Sequence, residues 1–174
     1  VRKCSLPDGA ILDPACGSGI QLAAYCAMIS REGFGIEMDE STAKAANSNL
    51  KRVAEHGFGE SLLSSTIRIG DGTIGDSEQK FAMLHLDPAR PRNSRTHGLD
   101  EMAPKLPEIF EAWKDKLNHG ERGPAILLDL SPRLDNSQRL EVEEIVESFW
   151  PEIGKTWVWT SRGRGRVDRL SLWI

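Results

Sequence analysis

The chain has 174 residues and a formal charge of −4, from 22 Lys plus Arg against 26 Asp plus Glu. That length fits one domain able to bury about 70% of its unfolded surface. Hydrophobic and charged fractions of 39% and 28% exclude a collagen, a disulfide scaffold and a long disordered tract. No apolar run reaches the ~20 residues a membrane span needs, and the mild acidity argues against wholesale coating of nucleic acid while leaving room for a local basic patch.

The elements alternate between strand-like and helix-like runs, which predicts an α/β domain with a mostly parallel sheet. Ala10 to Leu12 is a short apolar strand closed by Asp13-Pro14, and Ile20 to Ile29 is an apolar, Ala-rich helix. A second strand, Phe34 to Ile36, precedes an amphipathic helix over Ser41 to Glu55, with Ala43, Ala46, Leu50 and Val53 at three- and four-residue spacing. Gly57 marks its stop. Thr66 to Ile69 and Phe81 to Leu86 are the third and fourth strands. The polar stretch from Asp87 to Ala103 has no periodicity, and a loop of that length usually serves a function. Leu106 to Leu117 is a helix, Ala125 to Leu130 a fifth strand and Gln138 to Phe149 a further amphipathic helix. Thr156 to Trp159 and Val167 to Trp173 alternate apolar and polar residues around a Gly- and Arg-rich tip, as in a closing β-hairpin. The five Trp residues are mostly core candidates.

Three cysteines, at positions 4, 16 and 26, are too few and too odd in number for a disulfide framework. They have no zinc-finger spacing, so a reducing, cytoplasmic setting is expected. The chain opens on Val1, enters a strand by Ala10 and closes on the apolar run Leu170 to Ile174. We therefore expect residues 1–174 to be a single catalytic domain cut from a longer protein.

The strongest motif is Ile11-Leu-Asp-Pro-Ala-Cys-Gly-Ser-Gly19, a strand, a tight Gly-rich turn and a helix start. Gly17 and Gly19 let the backbone turn sharply and approach a ligand. The helix N-terminus beyond offers N–H groups and a partial positive charge. The dinucleotide fingerprint needs a third Gly at position 22, which is Leu, and no Gly-Lys-Ser/Thr follows as a P-loop requires. The second strand ends in Gly35-Ile-Glu-Met-Asp39, and Glu37 lies 18 residues after Gly19. A carboxylate there can accept from both hydroxyls of a ribose. Asp39 suits a helix start. The third strand ends in Gly70-Asp-Gly72, and the fourth runs into Leu86-Asp-Pro-Ala-Arg-Pro91.

This string of motifs resembles class I S-adenosylmethionine (SAM) dependent methyltransferases. The resemblance implies a Rossmann-like three-layer α/β/α fold with a seven-stranded, mostly parallel sheet whose last strand is antiparallel. It implies SAM as cofactor and no metal. Asp13, Pro14, Ala15, Cys16, Gly17, Ser18 and Gly19 would wrap its methionine end. Glu37, with Met38 beside it, would hold the ribose; Asp71 and Gly72 would meet the adenine amino group; Asp87 would face both cofactor and acceptor. Asp87, Pro88 and Arg90 are the candidate catalytic residues. In base-amine methyltransferases the motif at this point is Asn/Asp-Pro-Pro-Tyr/Phe, whereas here position 89 is Ala and position 90 is Arg. Arg90 could stack by its guanidinium plane or hold a phosphate or carboxylate.

The runs from Leu86 to Leu106 and from Leu127 to Asp135, with the Trp-bearing terminal hairpin, are similar to the THUMP-like methyltransferases, in which motif IV reads Asp-Pro-Ala-Arg. Arg133 departs from that group, which carries a small residue after the Ser-Pro. Two basic segments suit phosphate contact. Arg90, Arg92 and Arg95 sum to +3, and Arg162, Arg164, Arg166 and Arg169 against Asp168 give 4 − 1 = +3. RNA, as tRNA or rRNA, is the expected acceptor. A small-molecule or protein acceptor and a non-catalytic SAM- or RNA-binding module are the alternatives; a nucleotide-cofactor oxidoreductase is disfavoured by the missing third Gly. Cys16 is read as a small buried thiol rather than a nucleophile. Of the four His, only His97 in the long loop draws attention.

Overall fold

A computed structural model describes residues 6–89, 98–161 and 167–174. Cys4, Arg90, Arg92, Arg95, His97, Arg162, Arg164 and Arg166 lie outside the described residues. The strands are β1 (Ala10–Asp13), β2 (Gly33–Glu37), β3 (Thr66–Ile69), β4 (Phe81–Leu86), β5 (His119–Gly120), β6 (Gly123–Leu130), β7 (Thr156–Ser161) and β8 (Val167–Trp173). The helices are α1 (Ile20–Ile29), α2 (Glu40–Glu55), α3 (Leu106–Trp113) and α4 (Asn136–Phe149).

The main sheet runs β3-β2-β1-β4-β6-β8-β7, with the two-residue β5 paired to β6. Strands β1 to β4 and β6 pair in parallel, and β8, last in the chain, inserts antiparallel between β6 and β7. The expected seven-stranded sheet is therefore present, with β5 as a short addition. The α3 segment stops at Trp113 and continues as a 3-10 turn over Lys114–Lys116, one turn earlier than periodicity suggests. Within the polar stretch, Ala89 bridges Ala103 and a 3-10 turn spans Leu99–Glu101.

Side chains alternate across a strand, so each central strand feeds two cores. Leu12, Leu84, Leu86, Ile126 and Leu128 join α3 and α4 residues such as Ile109, Trp113 and Val146 in one cluster. Ile11, Met83 and Leu127 join Leu22 and Cys26 of α1 and Ala46 and Leu50 of α2 in the other. The Phe81 and Trp113 rings meet edge to face, 5.7 Å apart. Trp113 and Trp150 are core residues, whereas Trp159 on the edge strand β7 is half exposed, with the Arg139 guanidinium over its ring. An edge strand has a neighbour on one side only, which is why alternation there does not imply burial. Among the described residues, no helix is long and apolar enough to cross a membrane.

Leu84 is fully buried on β4, between β1 and β6. Leu84→Ala should cost about 2–5 kcal/mol of stability, read by urea denaturation.

Candidate active site

The strand order places a topological switch between β1 and β4, because the chain winds outward from β1 to β3 and then returns. Ligands of open α/β sheets bind at the carboxyl ends of strands beside such a switch. The described site residues collect there: Asp13 ends β1 and Pro14 to Gly19 follow it, Glu37 ends β2, Asp71 follows β3 and Asp87 follows β4.

The turn after β1 is built by its own backbone. Asp13 Oδ1 accepts the Ala15 amide at 3.2 Å, the Cys16 amide donates to the Ile36 carbonyl at 3.0 Å, and the Gly19 amide returns to the Cys16 carbonyl at 2.9 Å. Gly17 and Gly19 have φ of 51° and 70°, the left-handed region that favours Gly. A Cβ at Gly17 would stand in open space, so this turn presents bare backbone outward. With the start of α1 next to it, the turn forms a cradle of backbone amides suited to the carboxylate end of an amino-acid-bearing cofactor. Cys16 is buried, and burial first, then the charges of Asp13 and Glu37, push its thiol well above the usual range. Both effects argue against a nucleophilic role for it.

Glu37 Oε1 accepts the Asp39 amide at 2.8 Å, which orients the carboxylate and leaves Oε2 as an acceptor for a ribose hydroxyl. Asp39 is the N-cap of α2, accepting the Thr42 amide at 2.7 Å. Met38 between them is exposed. The Gly70 amide donates to the Glu37 carbonyl, tying the β2 and β3 ends together. Asp71 Oδ1 accepts from the Thr73 amide and hydroxyl at 2.9 and 2.8 Å, and these bonds hold its carboxyl below the ordinary range. Gly72 packs backbone to backbone against the first turn. A Cβ there would fall 1.8 Å from the Pro14 carbonyl oxygen. The Gly72 carbonyl in turn accepts the buried Trp113 indole N–H at 2.7 Å.

Asp87 accepts from Gln21 Nε2 at 2.9 Å. The first turn of α1 thus carries a residue, Gln21, that anchors the motif IV carboxylate beside the cofactor turn. The long loop continues through Pro88 and Ala89, and Arg90 lies outside the described residues. Ser131 Oγ accepts the Arg133 amide in the turn after β6, and the Arg133 side chain is exposed, so this turn accommodates the larger residue.

The feature that motif spacing does not mark is His85, which is wholly buried. Its Nδ1 lies 2.7 Å from Asp13 Oδ2 and its Nε2 lies 3.3 Å from Asp129 Oδ2. Asp129 also accepts from the Tyr25 hydroxyl at 3.0 Å, the Arg169 guanidinium at 2.9 Å and the Ser171 hydroxyl at 2.5 Å. Two-residue alternation explains the gathering. Asp13 follows Ile11, His85 and Asp87 follow Met83, and Asp129 follows Leu127, all on the face covered by α1. Burial by itself would depress the His85 pKa, but the charge of Asp13 and the bonds to Asp129 and Asp13 outweigh it and raise the value to about 9. Burial would raise the Asp129 pKa, and the bonds from His85 and Ser171 bring it below the ordinary value. Among the described residues, no group of His, Cys, Asp and Glu side chains could hold a metal ion.

Glu37→Ala should weaken SAM binding more than tenfold by calorimetric titration. A raised His pKa stabilises the fold fully below the unfolded value near ~6.5 and loses that contribution as pH rises through the folded value. Thermal unfolding should therefore show stability falling as pH is raised from about 7 through about 9.

Residues 6–91 match the family model of protein-L-isoaspartate(D-aspartate) O-methyltransferase. Searched by sequence, the curated proteins include no match. Among solved structures, the chain resembles a glycopeptide N-methyltransferase in complex with SAM (TM-score 0.60, 15% identity, covering 97% of this chain and 81% of that one). It also resembles a ribosomal protein L11 methylase from Lactobacillus delbrueckii subsp. bulgaricus (TM-score 0.60, 15% identity, 98% and 71% covered). A third is an rRNA methylase from Streptococcus thermophilus (TM-score 0.57, 12% identity, 97% and 88% covered). These likenesses are of fold, while the family match covers the cofactor loops themselves. Taken with the motifs from Asp13 to Asp87, they support a SAM-dependent methyltransferase on a Rossmann-like fold, with S-adenosyl-L-methionine as its cofactor.

Proposed function

We propose that the chain methylates RNA, tRNA or rRNA, as one of the THUMP-like methyltransferases. The observation that carries the reading is the Gln21–Asp87 hydrogen bond, which holds the motif IV carboxylate against the helix that follows the cofactor turn. The described residues that flank both Arg-rich segments lie at that same end of the sheet. Ala89 opens one, and the described hairpin ends Ser161 and Val167 flank the other. Their strand β8 sets Leu170 opposite Leu130, the last residue of β6. Two segments of +3 charge in the sequence suit a phosphate backbone. The Asp-Pro-Ala-Arg motif and the rRNA methylase among the similar folds support the same acceptor.

When bound, SAM would supply a methyl group on a sulfonium sulfur, whose S–CH3 bond breaks as the bond to the acceptor forms and a neutral thioether leaves. The chain's own residues bind, orient and accept a proton. Backbone amides after β1 and the Glu37 carboxylate fix the donor, and holding donor and acceptor in line can supply about 7–11 kcal/mol. Asp87 accepts a hydrogen bond from the incoming amine or hydroxyl and takes up, or passes to water, the proton released as the new bond to carbon forms. Arg90 holds the acceptor by a phosphate or by stacking.

A protein acceptor is the second reading, favoured by the O-methyltransferase family match; that match ends at residue 91 and so covers the donor side. The two acceptors separate in one experiment. The chain is incubated with methyl-labelled SAM, total RNA and total protein, then treated with RNase or protease. Label removed by RNase is the expected result, and label removed only by protease refutes an RNA acceptor. Asp87→Ala should lower turnover by about 10²-fold or more with SAM affinity changed far less, read from separate kinetic and calorimetric titrations.

A further inference from the structure

We infer that His85 is a positioning residue for methyl transfer: as a buried imidazolium it locks the motif I turn to the strand that delivers Asp87 and to the β6–β8 pair, and so presets the SAM cradle against the acceptor end. The inference rests on the SAM-dependent methyltransferase assignment and is independent of the acceptor's identity.

The protonation state follows from geometry. Both ring nitrogens face carboxylate oxygens, Asp13 Oδ2 at 2.7 Å and Asp129 Oδ2 at 3.3 Å. A neutral imidazole has one N–H and would aim a lone pair at one of those carboxylates; the imidazolium donates to both. The charges then balance, since two carboxylates meet His85 and Arg169, or −2 + 2 = 0. The ring meets Asp13 from β1, Asp129 from β6 and Tyr25 from α1 with its ring 4.8 Å away, and Arg169 and Ser171 from β8 reach its partner Asp129.

The two carboxylates do not depend on His85 equally. Asp129 has donors from Tyr25, Arg169 and Ser171 besides His85. Asp13 is 2% exposed and has the Ala15 amide on one oxygen and His85 on the other. Removing the imidazolium therefore orphans Asp13 above all, at the first residue of the turn whose amides cradle the cofactor. A buried carboxylate without its counter-charge must move towards water or take up a proton, and either change reshapes that turn. His85 also stands two residues before Asp87, which follows the end of β4, so donor and acceptor sides are set by one group.

The test compares the unaltered chain, His85→Gln, and the double variant Asp13→Asn with His85→Gln, by SAM calorimetry with circular dichroism alongside. Glutamine offers one amide donor group and no charge. His85→Gln is expected to bind SAM at least tenfold more weakly at pH 7.5 while folded. The double variant, freed of the orphaned charge, should recover at least threefold of that loss. A role in packing alone would not be rescued by neutralising Asp13. In the unaltered chain, SAM affinity should fall above pH 8 more steeply than in His85→Gln. A folded His85→Gln chain within twofold of the unaltered affinity, or a double variant with no recovery, overturns the proposal. Should His85→Gln fail to fold, the ring nitrogens of His85 in the unaltered chain decide by 15N NMR at pH 7: two N–H groups support the proposal and one overturns it. Failure of SAM to bind the unaltered chain would instead remove the cofactor assignment.

Discussion

A carboxylate placed in a protein interior loses several kcal/mol of hydration, and the loss is recovered only by a counter-charge and hydrogen bonds of good geometry. This chain buries Asp13 and Asp129 together on the α1 side of the sheet and sets one imidazole between them. That requirement fixes the relative positions of four elements. β1 brings Asp13, β4 brings His85, β6 brings Asp129, and β8 closes the cluster with Arg169 and Ser171. A shift of one residue in any of these strands would turn its polar member onto the opposite, apolar face. The cluster therefore specifies register as well as charge balance, at the sheet end where the cofactor turn begins.

The cofactor loops depend on that registration. Parallel strands send their carboxyl ends to one edge, and each following helix begins there with unpaired amides. The turn after β1 and the turn after β3 then approach until Gly72 leaves no room for a side chain against Pro14. Trp113 reaches from α3 on the other face of the sheet to bond the same Gly72 carbonyl. Both layers of helices thus converge on the loop that carries Asp71. Packing density, more than any single bond, holds these turns, because interiors packed to crystal-like density resist displacement of backbone atoms.

The donor and acceptor sides differ in how they are built. On the donor side, backbone amides and the ends of short strands do the positioning, which suits a cofactor of constant shape. On the acceptor side, Asp87 is steadied by Gln21, and Ala89 bridges Ala103. The edge strand β7 keeps Trp159 half exposed beneath Arg139. Long loops and edge strands carry substrate choice in many α/β enzymes because they vary without disturbing the core.

Much of this was legible in the residues themselves. Period-two and period-3.6 patterns mark the major strands and helices, and the Asp13 to Gly19 string marks the cofactor turn, because local backbone geometry and amphipathic burial are written in nearest-neighbour spacing. Glu37, Asp71 and Asp87 stand out for the same reason, since each lies at or just past a strand end. Gln21, Asp129 and above all His85 do not. Their partners lie 66, 44 and 72 residues away in the chain, and His85 sits inside what reads as an ordinary apolar strand. Trp159 passes for core by alternation and is half exposed because β7 is an edge. The amino-acid order by itself thus determined the fold class, the cofactor and the glycine turn after β1. Tertiary structure alone decided which buried charges meet, because long-range pairing depends on the order of strands in the sheet, and that order is not a property of any local stretch of sequence.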